Sequence, residues 1–226
     1  MASRTTKITL GIVGGIVGLA LIAVFALVLW GVFRPPLVGD YEVSQGELET
    51  ITNLNANPLE GMVASVGDVE AAANTDPVQL DNRISNTLGQ VGVLRESSDA
   101  LTERGAAKRD AEFGKLAERL DDAYESLEDQ LGEWQDEGYA DVMAAAQLCA
   151  ADPSGAECRS ARGTLEGESP ENAELAAIVE ALPGAGSDPE RLASALSDFR
   201  DAVTESWQQI TDATAEAQSY LDAQLG

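Results

Sequence analysis

The feature that most constrains this chain is a long uncharged apolar run near its N-terminus, residues 8–33, which reads ITLGIVGGIVGLALIAVFALVLWGVF. As a helix, these 26 residues span roughly 39 Å, enough to cross a hydrocarbon core about 30 Å thick. Trp30 lies near the far end, where an indole ring favours the membrane interface, and Arg34 ends the run as a second interface anchor. Pro35 and Pro36 then oppose continuation of the helix. The run predicts a single transmembrane helix.

The flanks of this run predict that it stays attached and which way it crosses. It is about twice as long as the apolar part of a cleaved signal peptide, and its end, VLWGVFRPP, offers no small-x-small cleavage site. Arg4 and Lys7 precede it, whereas the first acidic residue is Asp40. The positive-inside rule therefore predicts an uncleaved signal-anchor in the plasma membrane. Residues 1–7 form a cytoplasmic tail, residues 34–43 an exit linker, and residues 44–226 an acidic extracytoplasmic helical domain.

Glycines in the first half of the run form two offset G-x-x-x-G pairs, Gly11 with Gly15 and Gly14 with Gly18. Small residues at this spacing allow a second membrane helix to approach closely. The spacing predicts a packing face for another integral membrane subunit or for a second copy of this chain. The alternative is a chance pattern, because glycine is common in membrane helices.

Charge and composition exclude several classes of function. From Arg34 onward the chain carries 12 basic and 39 acidic residues, so this part repels phosphate backbones and is not expected to bind nucleic acid. Its favoured partners are basic extracytoplasmic protein surfaces. The alternative is that the acidic charge only keeps an exported domain soluble. The chain has no histidine, which removes His-based triads and the usual haem and zinc sites.

Apolar residues beyond the linker recur at three- and four-residue spacing, which predicts long amphipathic helices packed in an antiparallel bundle. One helix begins at Asp76-Pro77 and another at Asp188-Pro189, since Asp caps a helix and Pro suits its first position. Gly105 marks either a turn between two helices or a weak point within one. We call the stripe of residues on the predicted buried face of a helix its seam. The three predicted seams are Leu80, Ile84, Thr87, Val91, Leu94, Ser98 and Leu101; Phe113, Leu116, Leu120, Tyr124, Leu127, Leu131 and Trp134; and Leu192, Leu196, Phe199, Val203, Trp207, Ile210, Thr214, Ala217 and Leu221.

Weaker signals predict shorter helices between these. Ser44 to Glu47 has the form of a capping box, which predicts a helix start at Ser44. Further short helices are expected over residues 59–73, 139–150 and 169–182. No segment shows convincing strand alternation, so the predicted fold class is all-α, a transmembrane helix followed by a bundle of long helices.

The two cysteines predict a structural disulfide. Cys149 and Cys158 flank a loop rich in turn residues, LCAADPSGAEC, and an exported domain favours oxidation. Closing about ten residues stabilises a fold by roughly 2.5–3 kcal/mol in the chain-entropy model. A redox role is less favoured because the closer C-x-x-C spacing is absent, and two thiolates alone do not make a metal site.

No catalytic or cofactor motif occurs, so no catalytic, cofactor-binding or metal-binding residue is predicted. The adjacent carboxylates Asp121-Asp122, Glu128-Asp129 and Asp136-Glu137 fall between or beyond the seam positions and are interpreted as solvated faces. Lys108 and Lys115 lie in polar helical context, without the motif of a Ser–Lys dyad.

The chain resembles actinobacterial envelope proteins in four features. These are the N-terminal anchor with GIVGGIVG, the cysteine-flanked segment CAADPSGAEC, the use of Arg in preference to Lys, and a high content of Ala, Asp and Glu. With the 23.7 kDa mass, the chain resembles the small accessory subunits of the corynebacterial cytochrome bcc–aa3 respiratory supercomplex. The likeness is one of size, topology and composition. It implies a peripheral subunit without a cofactor, with cytochrome subunits as partners and a role in assembly or stability.

Three functions fit the sequence. The first is an accessory subunit of a membrane complex, held by the glycine face and by the acidic bundle. The second is a self-associating envelope scaffold that uses the same glycines for a homodimer. The third is an extracytoplasmic bundle that binds a ligand. A role as a sensor is less favoured, because a sensor carries a cytoplasmic output module and the predicted cytoplasmic tail has only about seven residues.

Overall fold

The computed structural model describes residues 35–54, 59–68, 76–165, 170–183 and 189–226. Within these ranges the chain is helical and contains no strand, which confirms the all-α prediction. In chain order the helices are α1 (Val38–Leu54), α2 (Glu60–Gly67), α3 (Pro77–Thr102), α4 (Gly105–Arg109), α5 (Ala111–Asp136), α6 (Tyr139–Ala151), α7 (Ala156–Leu165), α8 (Ala173–Ala181) and α9 (Pro189–Leu225).

Side-chain pairs between the long helices show that their directions alternate. Arg95 of α3 contacts Glu128 of α5, whereas Ser85, earlier in α3, contacts Gln135, later in α5. Such pairing requires α3 and α5 to be antiparallel. Similarly, α9 is antiparallel to α5, because Tyr220 stacks on Phe113 at one end and Phe199 packs on Trp134 at the other.

Helices α1 and α2 follow one another along α9 and complete the bundle. Gln45 of α1 contacts Asp222 near the end of α9, and Gly67 of α2 packs closely against Arg200, more than five turns earlier. The result is an up-down-up-down four-helix bundle formed by α1–α2, α3, α5 and α9. Helices α6, α7 and α8 lie at the end where α5 terminates, with α6 against α3 and α8 against α9.

Helix α3 begins as predicted. Asp76 is its N-cap, with the side chain accepting the backbone N–H of Gln79 at 2.9 Å, and Pro77 occupies the first turn. The whole predicted seam of α3 is buried, including its polar members. Thr87 donates to the carbonyl of Arg83, and Ser98 donates to Asp121 of α5 at 2.7 Å. Their burial is tolerated because both hydroxyls have acceptors.

Gly105 separates two antiparallel helices, so the first of the two interpretations is correct. The chain leaves α3 at Thr102, forms the single-turn helix α4 and restarts at Asp110, whose carboxylate caps α5 through the backbone N–H groups of Glu112 and Phe113. The predicted α5 seam is buried except for Leu116, which is half-buried while Ala117 is buried. Helix α5 ends before Gly138, whose φ of 82° is a left-handed conformation that glycine adopts without strain.

Helix α9 has 37 residues and carries the third seam. Phe199, Val203, Ile210, Ala217 and Leu221 are buried, whereas Leu196 and Trp207 are half-buried. At the predicted polar position the seam shifts by one residue. Ala213 is buried in place of Thr214, whose hydroxyl instead donates to the carbonyl of Ile210 within the helix. The small side chain suits a face on which an adjacent helix lies close.

The prediction that helix α1 begins at Ser44 was wrong. The helix begins at Val38, within the predicted 34–43 linker, because Asp40 accepts the backbone N–H of Leu37 and stabilises an earlier start. Ser44 therefore lies inside the helix, fully buried, and donates to the carbonyl of Asp40.

Three other boundaries differ from the predictions. Of the helix expected over 59–73, the structure describes α2, which ends at Gly67. Residues Ala156–Leu165, for which no helix was predicted, form α7. The helix expected from residue 169 starts later, at Ala173, because the Asn172 side chain accepts the N–H groups of Glu174 and Leu175.

Candidate functional site

A connected polar cluster lies at the end of the bundle where the chain enters α1. We call it the proximal junction and define it by Asp40, Tyr41, Arg109, Asp110 and Tyr220. Tyr41 and Tyr220 both donate to Oδ2 of Asp110, at 2.6 and 2.7 Å, and Arg109 donates to Asp40 at 2.6 Å. The other oxygen of Asp110 caps α5. One carboxylate thus joins the first turn of α1, the start of α5 and the last turns of α9.

The electrostatics of the proximal junction favour an ionised Asp110. Burial raises the pKa of this carboxyl, but hydrogen bonds from Tyr41, Tyr220 and two backbone amides outweigh it, so the pKa lies below its ordinary value of 3.8. Burial, together with the hydrogen bond to this carboxylate, raises the pKa of Tyr41 to about 12. The same causes raise the pKa of Tyr220. The neutral hydroxyls therefore remain donors under all physiological conditions.

Replacing Tyr41 with Phe tests this coupling. At neutral pH we expect the free energy of unfolding to fall by about 1 kcal/mol, because one hydrogen bond to Asp110 is lost. In the wild type, the unfolded chain releases the Tyr41 proton near its ordinary pKa of 10.0, whereas the folded chain retains it to about 12. The folded state then binds more protons, so its stability is fully present below pH 10 and declines as pH rises from there to about 12.

The measurement is urea unfolding of the detergent-solubilised protein, followed by far-UV circular dichroism at several pH values between about 9 and 12. Tyr41→Phe should show a shallower decline of stability with pH than the wild type, and Tyr220→Phe should behave similarly. Equal pH slopes in the three proteins would contradict the proposed coupling.

Further contacts fix α1 to its neighbours along the next turns. Arg104, in the turn after α3, contacts both carboxylate oxygens of Glu47, with Nε to Oε2 at 2.7 Å. Apolar side chains are also exposed at the start of α1 and just before it, Leu37 by 50%, Val38 by 61% and Val43 by 52%. The junction thus combines a fixed helix start with an apolar exposed surface.

At the opposite end of the bundle, Cys149 of α6 and Cys158 of α7 form the predicted disulfide, with Cα atoms 4.6 Å apart. Both cysteines are buried. The bond joins two helices rather than closing an irregular loop. It holds α7 against α6, and α6 in turn packs against α3.

In each adjacent carboxylate pair, one member faces solvent and the other bonds to a neighbouring part of the chain. Asp122, Asp129 and Asp136 are exposed, in agreement with the interpretation as solvated faces. Their neighbours are half-buried and bonded: Asp121 accepts from Ser98, Glu128 from Arg95, and Glu137 from the backbone of Asn172 at 2.5 Å. For these three the interpretation was wrong, because each faces a neighbouring element.

Among the described residues, no group of three or more His, Cys, Asp or Glu side chains is arranged to hold a metal ion. Lys108, considered for a Ser–Lys dyad, is exposed and pairs with Glu103, and Lys115 is exposed.

The residues predicted to cross the membrane, 8–33, lie outside the described residues, as do the packing glycines Gly11, Gly14, Gly15 and Gly18 and the interface anchors Trp30 and Arg34. Of the helices that the structure does describe, none combines the length and apolarity that a bilayer crossing requires.

Sequence reasoning did not find the proximal junction. Tyr41 and Tyr220 lie 69 and 110 residues from Asp110, so no local spacing connects them. The one available signal was Asp110 itself, a helix-capping residue type in the break between two strong seams.

Comparison with known proteins found no match: no protein-family model, curated protein or solved structure is similar to this chain.

Proposed function

We propose that this chain is a non-catalytic accessory subunit of a membrane protein complex. Residues 8–33 anchor it in the plasma membrane, and the acidic bundle stands on the extracytoplasmic side, where it assists assembly or stability of its partners. The observation that carries the proposal is the proximal junction, because a subunit that positions others needs a stiff connection between its anchor and its body.

The connection is short as well as fixed. Four residues, 34–37, separate the predicted membrane span from α1, and they extend at most about 14 Å. The junction end of the bundle would then stand next to the bilayer. The exposed Leu37 and Val38 suit contact with the membrane interface or with an apolar partner surface there.

The remainder of the bundle favours a role in binding over one in chemistry. Its conspicuous carboxylates either bond neighbouring helices or face solvent. The resemblance to accessory subunits of the cytochrome bcc–aa3 supercomplex makes a respiratory cytochrome complex the first partner to examine.

The test is purification of the tagged full-length protein in a mild detergent, followed by mass spectrometry of the proteins that co-purify. We expect Gly15→Leu to lower the yield of the partner by about tenfold, because a bulky side chain prevents close helix approach at the glycine face. Gly14→Leu should act in the same direction, and neither should unfold the bundle.

Ala20→Leu is the matched control, because it makes a small-to-large change in the same apolar run at a position that 3.6 residues per turn put on the face opposite the glycine pairs. It should leave the yield unchanged. Recovery of the same companions at the same yield from all variants would show that the glycine face has no role. A discrete dimer of this chain alone would instead favour the scaffold.

A further inference from the structure

The structure contains a groove at the end of the bundle opposite the proximal junction, with a volume of about 600 Å³. One wall is a face of α6, the other is a face of α7, and the first turn of α3 closes one side. The walls are mainly apolar, and Leu148 is exposed there by 38%. We call this the distal groove; its apolar residues include Ala144, Ala145, Leu148, Ala151, Ala161 and Leu165.

The charged side chains that the structure describes along the distal groove are all acidic. Asp76, Asp141 and Glu157 contribute carboxylates, and no lysine or arginine is among the described residues that line it. The three residues are exposed, and within the described parts of the chain no salt bridge involves Asp141 or Glu157. The groove therefore presents apolar surface beside carboxylates that form no salt bridge within the described residues.

Charge disfavours an occupant from this chain. The neighbouring segments 69–75 and 166–169 carry glutamates and no basic residue, and a second copy brings a net charge of −25. All of these would oppose the acidic rim. Anionic lipid is disfavoured for the same reason, and the groove lies at the end of the bundle away from the predicted anchor.

We propose that the distal groove docks a short basic amphipathic segment of a partner protein. Its apolar side chains lie against α6 and α7, and its lysine or arginine side chains pair with Asp141 and Glu157. The Cys149–Cys158 disulfide connects the two walls, so the groove is held open before the partner arrives. This deepens the proposed function by naming where and with which chemistry a partner binds.

The test uses the full-length protein in nanodiscs of zwitterionic phosphatidylcholine, which do not attract cationic probes. Three fluorescein-labelled peptides are compared by fluorescence anisotropy: Lys-Leu-Lys-Leu-Lys, the polar Lys-Ser-Lys-Ser-Lys and the acidic Glu-Leu-Glu-Leu-Glu. We expect the first to bind most tightly and the acidic peptide not to bind.

Variants then locate the binding. The pair Asp141→Asn and Glu157→Gln should weaken binding of Lys-Leu-Lys-Leu-Lys by about tenfold. The pair Asp129→Asn and Glu133→Gln removes the same charge from exposed positions on α5 and should change the affinity less than about twofold. Leu148→Ser should weaken the leucine peptide by several-fold without changing the serine peptide.

Three results would overturn the proposal. Equal losses in the two charge-neutralised pairs would show attraction to net charge alone. Equal affinity for the leucine and serine peptides would show that the apolar walls are not used. Displacement of the peptide by spermine at a comparable concentration would indicate a site for small polycations rather than for a protein segment.

Failure of this inference is distinguishable from failure of the proposed function. The groove variants leave residues 1–34 unchanged, so co-purification of a partner through the anchor would persist if only the groove assignment is wrong. Conversely, peptide binding to the groove does not require the glycine face.

Discussion

Trp134→Ala is expected to lower the free energy of unfolding by about 3–5 kcal/mol, the usual cost of removing a fully buried large aromatic side chain. Trp134 is completely buried near the end of α5, and its ring lies 4.5 Å from that of Phe199 on α9, centroid to centroid. The substitution leaves a cavity between the seams of α5 and α9 and removes an aromatic pair. Because α5 and α9 contribute two of the four members of the bundle, the loss affects the whole fold.

Urea unfolding of the solubilised protein, followed by far-UV circular dichroism, measures this difference. Trp207→Ala is the matched control, because it removes the same side chain from a half-buried position on α9. We expect it to lower the free energy of unfolding by less than half as much as Trp134→Ala. Trp134→Phe should also be mild, because the indole nitrogen is buried without an acceptor among the described residues. A cost for Trp134→Ala no larger than that of the control would contradict the placement of Trp134 in the core.

Replacing both cysteines, Cys149→Ala with Cys158→Ala, is expected to lower the free energy of unfolding by about 2.5–3 kcal/mol. The bond closes a short loop, and within the described residues α7 packs chiefly on α6, to which the bond connects it. Without the bond, packing against α6 is the main interaction that keeps α7 in place. We therefore expect local unfolding of α7 before the four-helix bundle opens.

Hydrogen exchange with mass spectrometry separates the local effect from the global one. In the double variant, amides of 156–165 should exchange much faster than in the wild type, whereas those of α5 should change only as the global stability does. Chemical reduction of the wild type provides the matched comparison and should reproduce the variant. Unchanged protection of α7 in both samples would show that packing alone holds this helix.

The seams show what local patterns can establish. Apolar residues at three- and four-residue spacing bury one face of any helix long enough to carry them, whatever it packs against. For this reason the sequence predicted the seams of α3, α5 and α9, the Asp76 cap and most of the buried residues on these helices, including Thr87 and Ser98. It left open whether α3 and α5 are one helix or two, and it missed small buried residues such as Ala117 and Ala213. The disulfide was predictable because its two residues are close in the chain and have no competing partner.

Short helices were less predictable because several capping solutions compete within a few residues. Ser44 and Glu47 have the form of a capping box, yet Asp40 stabilises an earlier start, and Ser44 lies buried within the helix. Asn172 likewise replaced the predicted start at residue 169. These outcomes depend on small local free energies, which tertiary packing readily outweighs.

Taken by itself, the sequence determined the all-α class, the long seams, the acidic surface and the disulfide, because each follows from spacing or composition within a few turns. The tertiary structure decided how the helices alternate, that Tyr41 and Tyr220 converge on Asp110, and that α6 and α7 enclose the distal groove. These features join residues from different helices. Their geometry follows from how the apolar faces pack together, and no local pattern in the chain encodes it.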